Sequence, residues 1–294
     1  LKRNSLIFAA ALLSAGFSAS SALDLPSLEK FTADLPSQAV PAPLSPSKVQ
    51  PQYLAAAYPL SGEKLFQYLH AATAYPVPGT GTDYLKAKNY MFSVADNTGC
   101  NGGPGVTCAY SQICAKGASE HGADYKEPGD ANGDGVVDSE GMNAEHVWPQ
   151  GFFNKAAPMK SDLHHIFPTF ITPNNTRGSS PFGVAGRSEY VTTSGSRFDG
   201  SVFEPADAVK GDVARALFYF LVRYYDRNIT DGVDRRDFWV SRVALFLQWN
   251  RQDPPDAAER ARNEAIARYQ GNRNPFVDDH SLADKVGAQA FQSH

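Results

Sequence analysis

The chain predicts an α+β fold in which helices dominate the second half. Two observations predict it. From about residue 209 onward, apolar side chains recur at the three-to-four spacing of helices. Between Tyr84 and Gly141, glycines, prolines and short apolar runs alternate, which suits loops and brief strands. With 294 residues and 42% apolar content the chain can bury a sizeable core, and that length allows one large domain or two small ones.

The first 22 residues stand outside that fold. Lys2 and Arg3 precede an apolar run from Leu6 to Phe17, and small residues follow, ending Ser20-Ser21-Ala22. This is the charged, hydrophobic and small-residue succession of a secretory signal peptide. The run is too short to span a bilayer, and no other stretch is apolar enough. A secreted or periplasmic location with no membrane partner is therefore expected. Residues 23–60 carry Pro26, Pro36, Pro41, Pro43, Pro46, Pro51 and Pro59 among many Ser and Ala, as in an extended linker or a pro-region. Residues 61–294 are expected to form a single domain.

That domain opens with a helix near residues 62–72, where Leu65, Phe66, Leu69 and Ala72 recur at helical spacing. Residues 90–94 are a strand candidate within the loop-rich stretch. Val209, Val213, Leu217, Phe220, Leu221 and Tyr224 mark one face of a long amphipathic helix. A second helix, about residues 236–250, is apolar enough to be central. A third starts after Pro254-Pro255-Asp256 and stops at Gly271.

Charge argues mildly against a polyanionic partner. The formal net charge is −4, and setting Lys2 and Arg3 aside leaves 25 of the 27 basic side chains against 31 acidic ones, a net of −6. Binding to nucleic acid would have to rest on a local cationic cleft. The three cysteines, Cys100, Cys108 and Cys114, suit one disulfide and one leftover thiol in an oxidising compartment, with all three pairings open. No pattern speaks to oligomeric state.

Residues 130–141 read Asp130-Ala-Asn132-Gly-Asp134-Gly135-Val136-Val-Asp138-Ser-Glu140-Gly141. Oxygen donors fall at positions one, three, five and nine of a calcium loop. A glycine at six allows the sharp turn, and the Val136 carbonyl stands at seven. The twelfth position fails: Gly141 replaces the bidentate acid, and Glu140 sits one residue early. A structural Ca²⁺ that stiffens the approach to Glu145 is the expectation, against a solvated acidic turn as the plainer reading.

Downstream, Glu145-His146 is followed by Ser161-Asp162-Leu163-His164-His165 and by Asn174-Asn175-Thr176-Arg177. A carboxylate and a carboxamide offer hard oxygens for Mg²⁺, a neutral imidazole can deprotonate water, and an arginine can meet a phosphate. On a strand, Glu145 and His146 would point to opposite faces, so the backbone there is irregular or the strand ends at the pair. On a helix, Asn174 and Arg177 share a face.

These segments, together with Pro181-Phe182-Gly183, Glu204-Pro205, Lys210-Gly211-Asp212-Val213-Ala214-Arg215-Ala216 and Gln270-Gly271-Asn272-Arg273-Asn274-Pro275-Phe276-Val277-Asp278, resemble the endonuclease I family of secreted and periplasmic nucleases. The resemblance covers roughly residues 62–280. It implies a ββα-metal (His-Me finger) core with a mainly helical surround, so that residues 61–294 would be one nuclease domain. It implies His146 as general base, Glu145 and Asn174 as ligands of a catalytic Mg²⁺, and Arg177 as a phosphate contact. The activity it implies is nonspecific hydrolysis of DNA, with RNA an open alternative, leaving 5′-phosphate ends. Some family members carry a phosphate-binding arginine between the Glu-His pair and the Asp-Leu-His segment; residues 147–161 here offer only Lys155 and Lys160.

Asp162 and His165 are expected to support the site from behind, Asp162 by orienting His146 or the hairpin. His164 and His165 could also bind metal. A calcium-dependent, dockerin-like binding module is the alternative reading, although dockerins pair two such loops.

Overall fold

The computed structural model describes residues 52–73 and 83–294, all within one compact unit, Pro46–His294. The expected signal segment and most of the expected linker lie outside the described residues. The linker's last part is not extended. Gln52–Ala57 forms a helix, α1, whose alanine-rich run favours that conformation. Its Leu54 and Ala57 are buried against α2, Gly62–Thr73.

Residues 90–94 are not a strand. Helix α3, Tyr84–Tyr90, starts on Asp83, whose carboxylate accepts the Lys86 N–H, and runs into a π-helical turn, Met91–Ala95. Ala87, Met91 and Ala95 are buried, and their four-residue spacing is helical rather than alternating.

Strands β1, Gly105–Thr107, and β2, Cys114–Lys116, pair antiparallel beside a Cys100–Cys114 disulfide. Cys108 is the buried free thiol. It accepts the Phe170 N–H at 3.3 Å, while the Ala109 N–H donates to the Pro168 carbonyl. The turn between β1 and β2 thus lies along one strand of the next hairpin. That hairpin pairs β3, Met142–His146, with β4, Ile166–Phe170, in a register from Met142↔Phe170 to His146↔Ile166. Strand β4 passes without a loop into α4, Ile171–Arg177. A small sheet follows: β5, Tyr190–Val191; β6, Arg197–Phe198; β7, Phe203–Glu204.

Helix α5, Lys210–Tyr224, is buried on nearly every side and so is central rather than amphipathic. The helix expected over 236–250 is broken into α6, Arg235–Phe238, a 3-10 turn, Val240–Arg242, and α7, Val243–Gln252. Helix α8, Ala257–Gln270, begins on Asp256, which accepts the Glu259 N–H, and ends at Gly271 in the left-handed conformation, φ 81°. The chain continues through α9, Pro275–Asp278, and α10, Ser281–Ser293.

The main core gathers Trp148, Phe218, Phe220, Trp239, Phe246 and Phe291 around α5. A second cluster, including Phe92, Val106, Leu163, Ile166, Phe170 and Ile266, underlies the hairpin. Burying each such side chain contributes on the order of 1.5–3 kcal/mol, so both sides of the hairpin junction rest on packed material. Among the described residues no helix is long and apolar enough to cross a membrane.

Candidate active site

Strand β3 stops at His146, so Glu145 and His146 are its last two residues and point to opposite faces. On one face the Glu145 carboxylate is buried. Its Oε1 accepts from Arg177 Nη1 at 2.8 Å and from the Tyr110 hydroxyl at 2.7 Å. Among the described residues no hydrogen bond reaches its other oxygen, Oε2. Burial raises the Glu145 carboxyl above its ordinary range, and the Arg177 charge opposes that rise. Tyr110 lies far upstream, and no sequence signal marks it as a member of this site.

On the other face, His146 Nε2 lies 3.0 Å from the Lys160 carbonyl. A carbonyl only accepts, so the neutral ring carries its proton on Nε2 and its lone pair on Nδ1, which no group among the described residues engages. His165 is held in the same way, its Nε2 donating to the Met159 carbonyl at 2.7 Å, with the two rings 5.5 Å apart. Successive carbonyls of the 3-10 turn Met159–Ser161 therefore fix both histidines. Burial first, then the neighbouring His165, pushes His146 down to about 3; burial likewise takes His165 down to about 4. Both rings are neutral at neutral pH.

Around His146 the fold gathers two cations: Lys160, which lies between the Glu-His and Asp-Leu-His segments, and Lys88, which no spacing marks. The Tyr84 ring stands 5.7 Å from the His146 ring. The ammonium groups of Lys160 and Lys88 lie over that tyrosine at 4.6 and 4.9 Å. Neither lysine forms an ion pair among the described residues.

Arg177 departs from its expected place. Its side chain is fully buried. Nε donates to the Ser180 carbonyl, Nη1 to Glu145 and the His146 carbonyl, and Nη2 to the Val147 carbonyl. A guanidinium so engaged faces the protein, not an incoming phosphate; it pins the end of β3 to α4. Asn174, one helical turn earlier on the same face, is partly exposed, and its carboxamide makes no hydrogen bond among the described residues.

Asp162 does not reach His146. Its Oδ1 accepts the His164 N–H and Gln270 Nε2, and its Oδ2 accepts the hydroxyls of Tyr219 and Tyr224 beside Arg223 at 3.1 Å. It orients the turn that leads into β4, and with it the hairpin. His164 Nε2 meets the Asn272 carbonyl at 2.9 Å, so its ring is a scaffold element too. Arg273 is committed to Asp278 and Glu264.

In the acidic loop, Asp130 Oδ2 accepts the Gly135 N–H, Asn132 Oδ1 the Asp134 N–H, and Asp134 Oδ1 the Val136 N–H. Asp138 is buried, and Val136 turns its side chain outward. Glu140 does not join them. It is exposed and lines a groove with Lys88, His121 and Asn143. Glu127, missed in the sequence because it precedes the motif, accepts the N–H groups of Asn132 and Asp138.

Among the described residues no three His, Cys, Asp or Glu side chains converge as a ready-made metal cluster. Among the described residues near the hairpin, one carboxylate oxygen of Glu145 and the carboxamide of Asn174 are unclaimed hard oxygens, and so is the buried Thr169 hydroxyl of β4.

Known proteins are similar to part of this chain. Over 165 residues the chain is 41% identical to an extracellular ribonuclease of Bacillus amyloliquefaciens, covering 53% of this chain and 56% of the relative. It is 40% identical to an extracellular ribonuclease of Bacillus subtilis over the same shares. An extracellular deoxyribonuclease of Aeromonas hydrophila is 28% identical over 127 residues, 41% of this chain and 50% of that one. The chain spans about half the length of the curated relatives it matches. The endonuclease I family matches residues 90–281, a span that holds the hairpin, α4 and the turn that fixes His146. The chain belongs to the endonuclease I family.

Proposed function

We propose that this chain is a metal-dependent, sequence-nonspecific endonuclease that hydrolyses phosphodiester bonds of DNA and RNA, leaving 5′-phosphate ends. Strands β3 and β4 with helix α4 act as a ββα-metal, or His-Me finger, unit. One observation carries the reading: His146, its Nε2 tied to a carbonyl and its Nδ1 unengaged, ends the strand in which Glu145 keeps one oxygen free.

The donors fit a hard cation, in keeping with a family that is in general metal-dependent. Glu145 Oε2 and the Asn174 carboxamide oxygen would hold Mg²⁺, an ion that needs few protein ligands because it keeps several waters. Bound there, the cation would acidify water and offset charge on the phosphate. His146 takes the proton of the attacking water at Nδ1. The Lys160 carbonyl, accepting from Nε2–H, steadies the ring as it becomes charged against the cost of burial. Arg177 is a positioning residue, since its hold on Glu145 leaves one carboxylate oxygen directed away from the pair.

Lys160 and Lys88 answer the charge problem posed by an acidic protein. They lie over Tyr84 beside the base with no carboxylate partner among the described residues, so they can contact backbone phosphates flanking the scissile bond. Such contacts carry no base specificity. The relatives' names include both ribonuclease and deoxyribonuclease, which keeps both sugars in the proposed substrate class. They are called extracellular or periplasmic, which supports export of this chain. A dockerin-like module has no observation in its favour.

The test is incubation of purified protein with plasmid DNA, single-stranded DNA and RNA, with Mg²⁺ or with EDTA. Cleavage abolished by EDTA and restored by Mg²⁺ is expected. No cleavage of any of the three, or full cleavage in EDTA, would reject the reading.

A further inference from the structure

We propose that residues 130–138 form a calcium site in which Asp130, Asn132, Asp134, the Val136 carbonyl and Asp138 are the ligands, and that this site braces the junction between β3 and α4. Such a site does not depend on the nuclease reading.

The observation that points to a ligand is Asp138. It is 2% exposed, and both of its carboxylate oxygens are buried with no hydrogen-bond partner among the described residues. Burial raises the Asp138 carboxyl above its ordinary range, and Thr172 of α4 opposes that rise from nearby without closing a hydrogen bond to either oxygen. A carboxylate taken out of water without donors is costly unless a cation lies against it. The Asn132 side chain is wholly buried alongside, its Nδ2 also without a partner among the described residues. Asp130 and Asp134 add two more carboxylates to the same turn.

The loop also explains its own irregularity. A Cβ at Gly141 would lie 2.6 Å from the Ala123 carbonyl oxygen, and φ there is +81°, so no acid can occupy the twelfth position. Glu140 points away, and Asp138 supplies the carboxylate that position lacks. Glu127 braces the loop instead, its two oxygens accepting the N–H groups of Asn132 at 2.6 Å and Asp138 at 3.3 Å. Since no three acidic side chains converge there, the coordination must draw on the neutral oxygens of Asn132 and Val136, with the aspartates moving inward. A shell of many oxygens on a flexible loop suits Ca²⁺, whereas Mg²⁺ demands tighter octahedral geometry.

The loop's far end bears directly on the hairpin. The Gly141 N–H donates to the Asp138 carbonyl at 3.0 Å, and the Gly141 carbonyl accepts the N–H of Ile171, the first residue of α4, at 3.2 Å. Met142 then begins β3. On the other side the Thr193 N–H donates to the Asn132 carbonyl, and the Tyr190 hydroxyl donates to Asp134 Oδ2 at 3.1 Å. A cation in the loop would therefore stiffen the element pair that carries Glu145 and Asn174.

The experiment compares thermal melting of the wild type, D138N, D130N and E145Q in EDTA, in Ca²⁺ and in Mg²⁺. It is joined to Tb³⁺ luminescence excited through tyrosine, for which Tyr190 is the adjacent donor. Calcium at about a hundredfold above its Kd should raise the melting temperature by roughly 5 °C. Tb³⁺ emission should appear and be displaced by Ca²⁺. Both effects should vanish in D138N and D130N and persist in E145Q. Asp130 is exposed, so D130N remains informative if D138N fails to fold. The proposal is overturned by no calcium effect in the wild type, by an undiminished effect in D130N, or by loss of the effect in E145Q.

Discussion

Arg177 Nη1 donates to Glu145 Oε1 at 2.8 Å, and both side chains are buried, at 0% and 3% exposure. The pair crosses from α4 to the end of β3, and Arg177 also holds the carbonyls of His146 and Val147. Breaking it strands a charge in the interior. Arg177→Met should lower stability by about 3–5 kcal/mol, measured by denaturant unfolding. If Arg177 instead met substrate, the variant would keep its stability and lose affinity for nucleic acid.

Tyr110→Phe removes one donor from the same carboxylate oxygen. Because Arg177 remains, the cost should be about 1 kcal/mol of stability, with the Mg²⁺ concentration for half-maximal cleavage shifted far less than in Glu145→Gln. Titrating Mg²⁺ against cleavage rate in both variants checks this.

Lys160→Ala and Lys88→Ala should raise KM more than they lower kcat, because the cations bind phosphate outside the bond being cleaved. Removing either lysine should flatten the slope of log affinity against log salt by about 1, the release of one counterion. An unchanged slope in both variants would remove these lysines from the substrate path. The Lys160 substitution spares the His146 hydrogen bond, since that bond uses a backbone carbonyl.

Acid should destabilise the fold in two windows. Burial outweighs the attraction of Asp162 and holds His164 and His165 at about 4, while unfolded histidine titrates near 6.5. Between those values the unfolded chain binds protons that the folded one excludes. Stability should thus be full above about pH 6.5 and fall toward about pH 4, by about 3 kcal/mol per histidine. Asp162 acts lower. Burial raises its carboxyl, but Arg223 and the two histidines outweigh burial and hold it below the ordinary range. Its contribution is present above the unfolded value of about 3.9 and is lost as pH falls through the folded value. Unfolding free energies from about pH 8 to pH 3 measure both, and His164→Gln should shallow the first slope.

What the sequence disclosed was what local pattern encodes. The limits of α8, set by Asp256 and Gly271, follow from caps, and the strand end at Glu145-His146 follows from the need to present both side chains. Residues 90–94 misled because a short apolar run fits either period, and the buried four-residue spacing of Ala87, Met91 and Ala95 favoured a helix. Helical spacing sets Arg177 on one face with Asn174 but says nothing of what lies opposite, which is Glu145 and the end of β3. Tyr110, Lys88, Tyr84 and Glu127 reach their places only through tertiary packing or from outside a motif, and no spacing marks them.

Glu145 and His146 are adjacent residues with separate jobs, and one measurement tests that division most directly: Mn²⁺ binding and plasmid cleavage followed together in His146→Ala and Glu145→Gln. His146→Ala should bind the metal as the wild type does while turnover falls about 10²–10⁴-fold. Glu145→Gln should bind it more weakly and recover part of its rate at high metal. A folded His146→Ala that still cleaves at a substantial rate, or a Glu145→Gln whose metal affinity is unchanged, would contradict this division of roles.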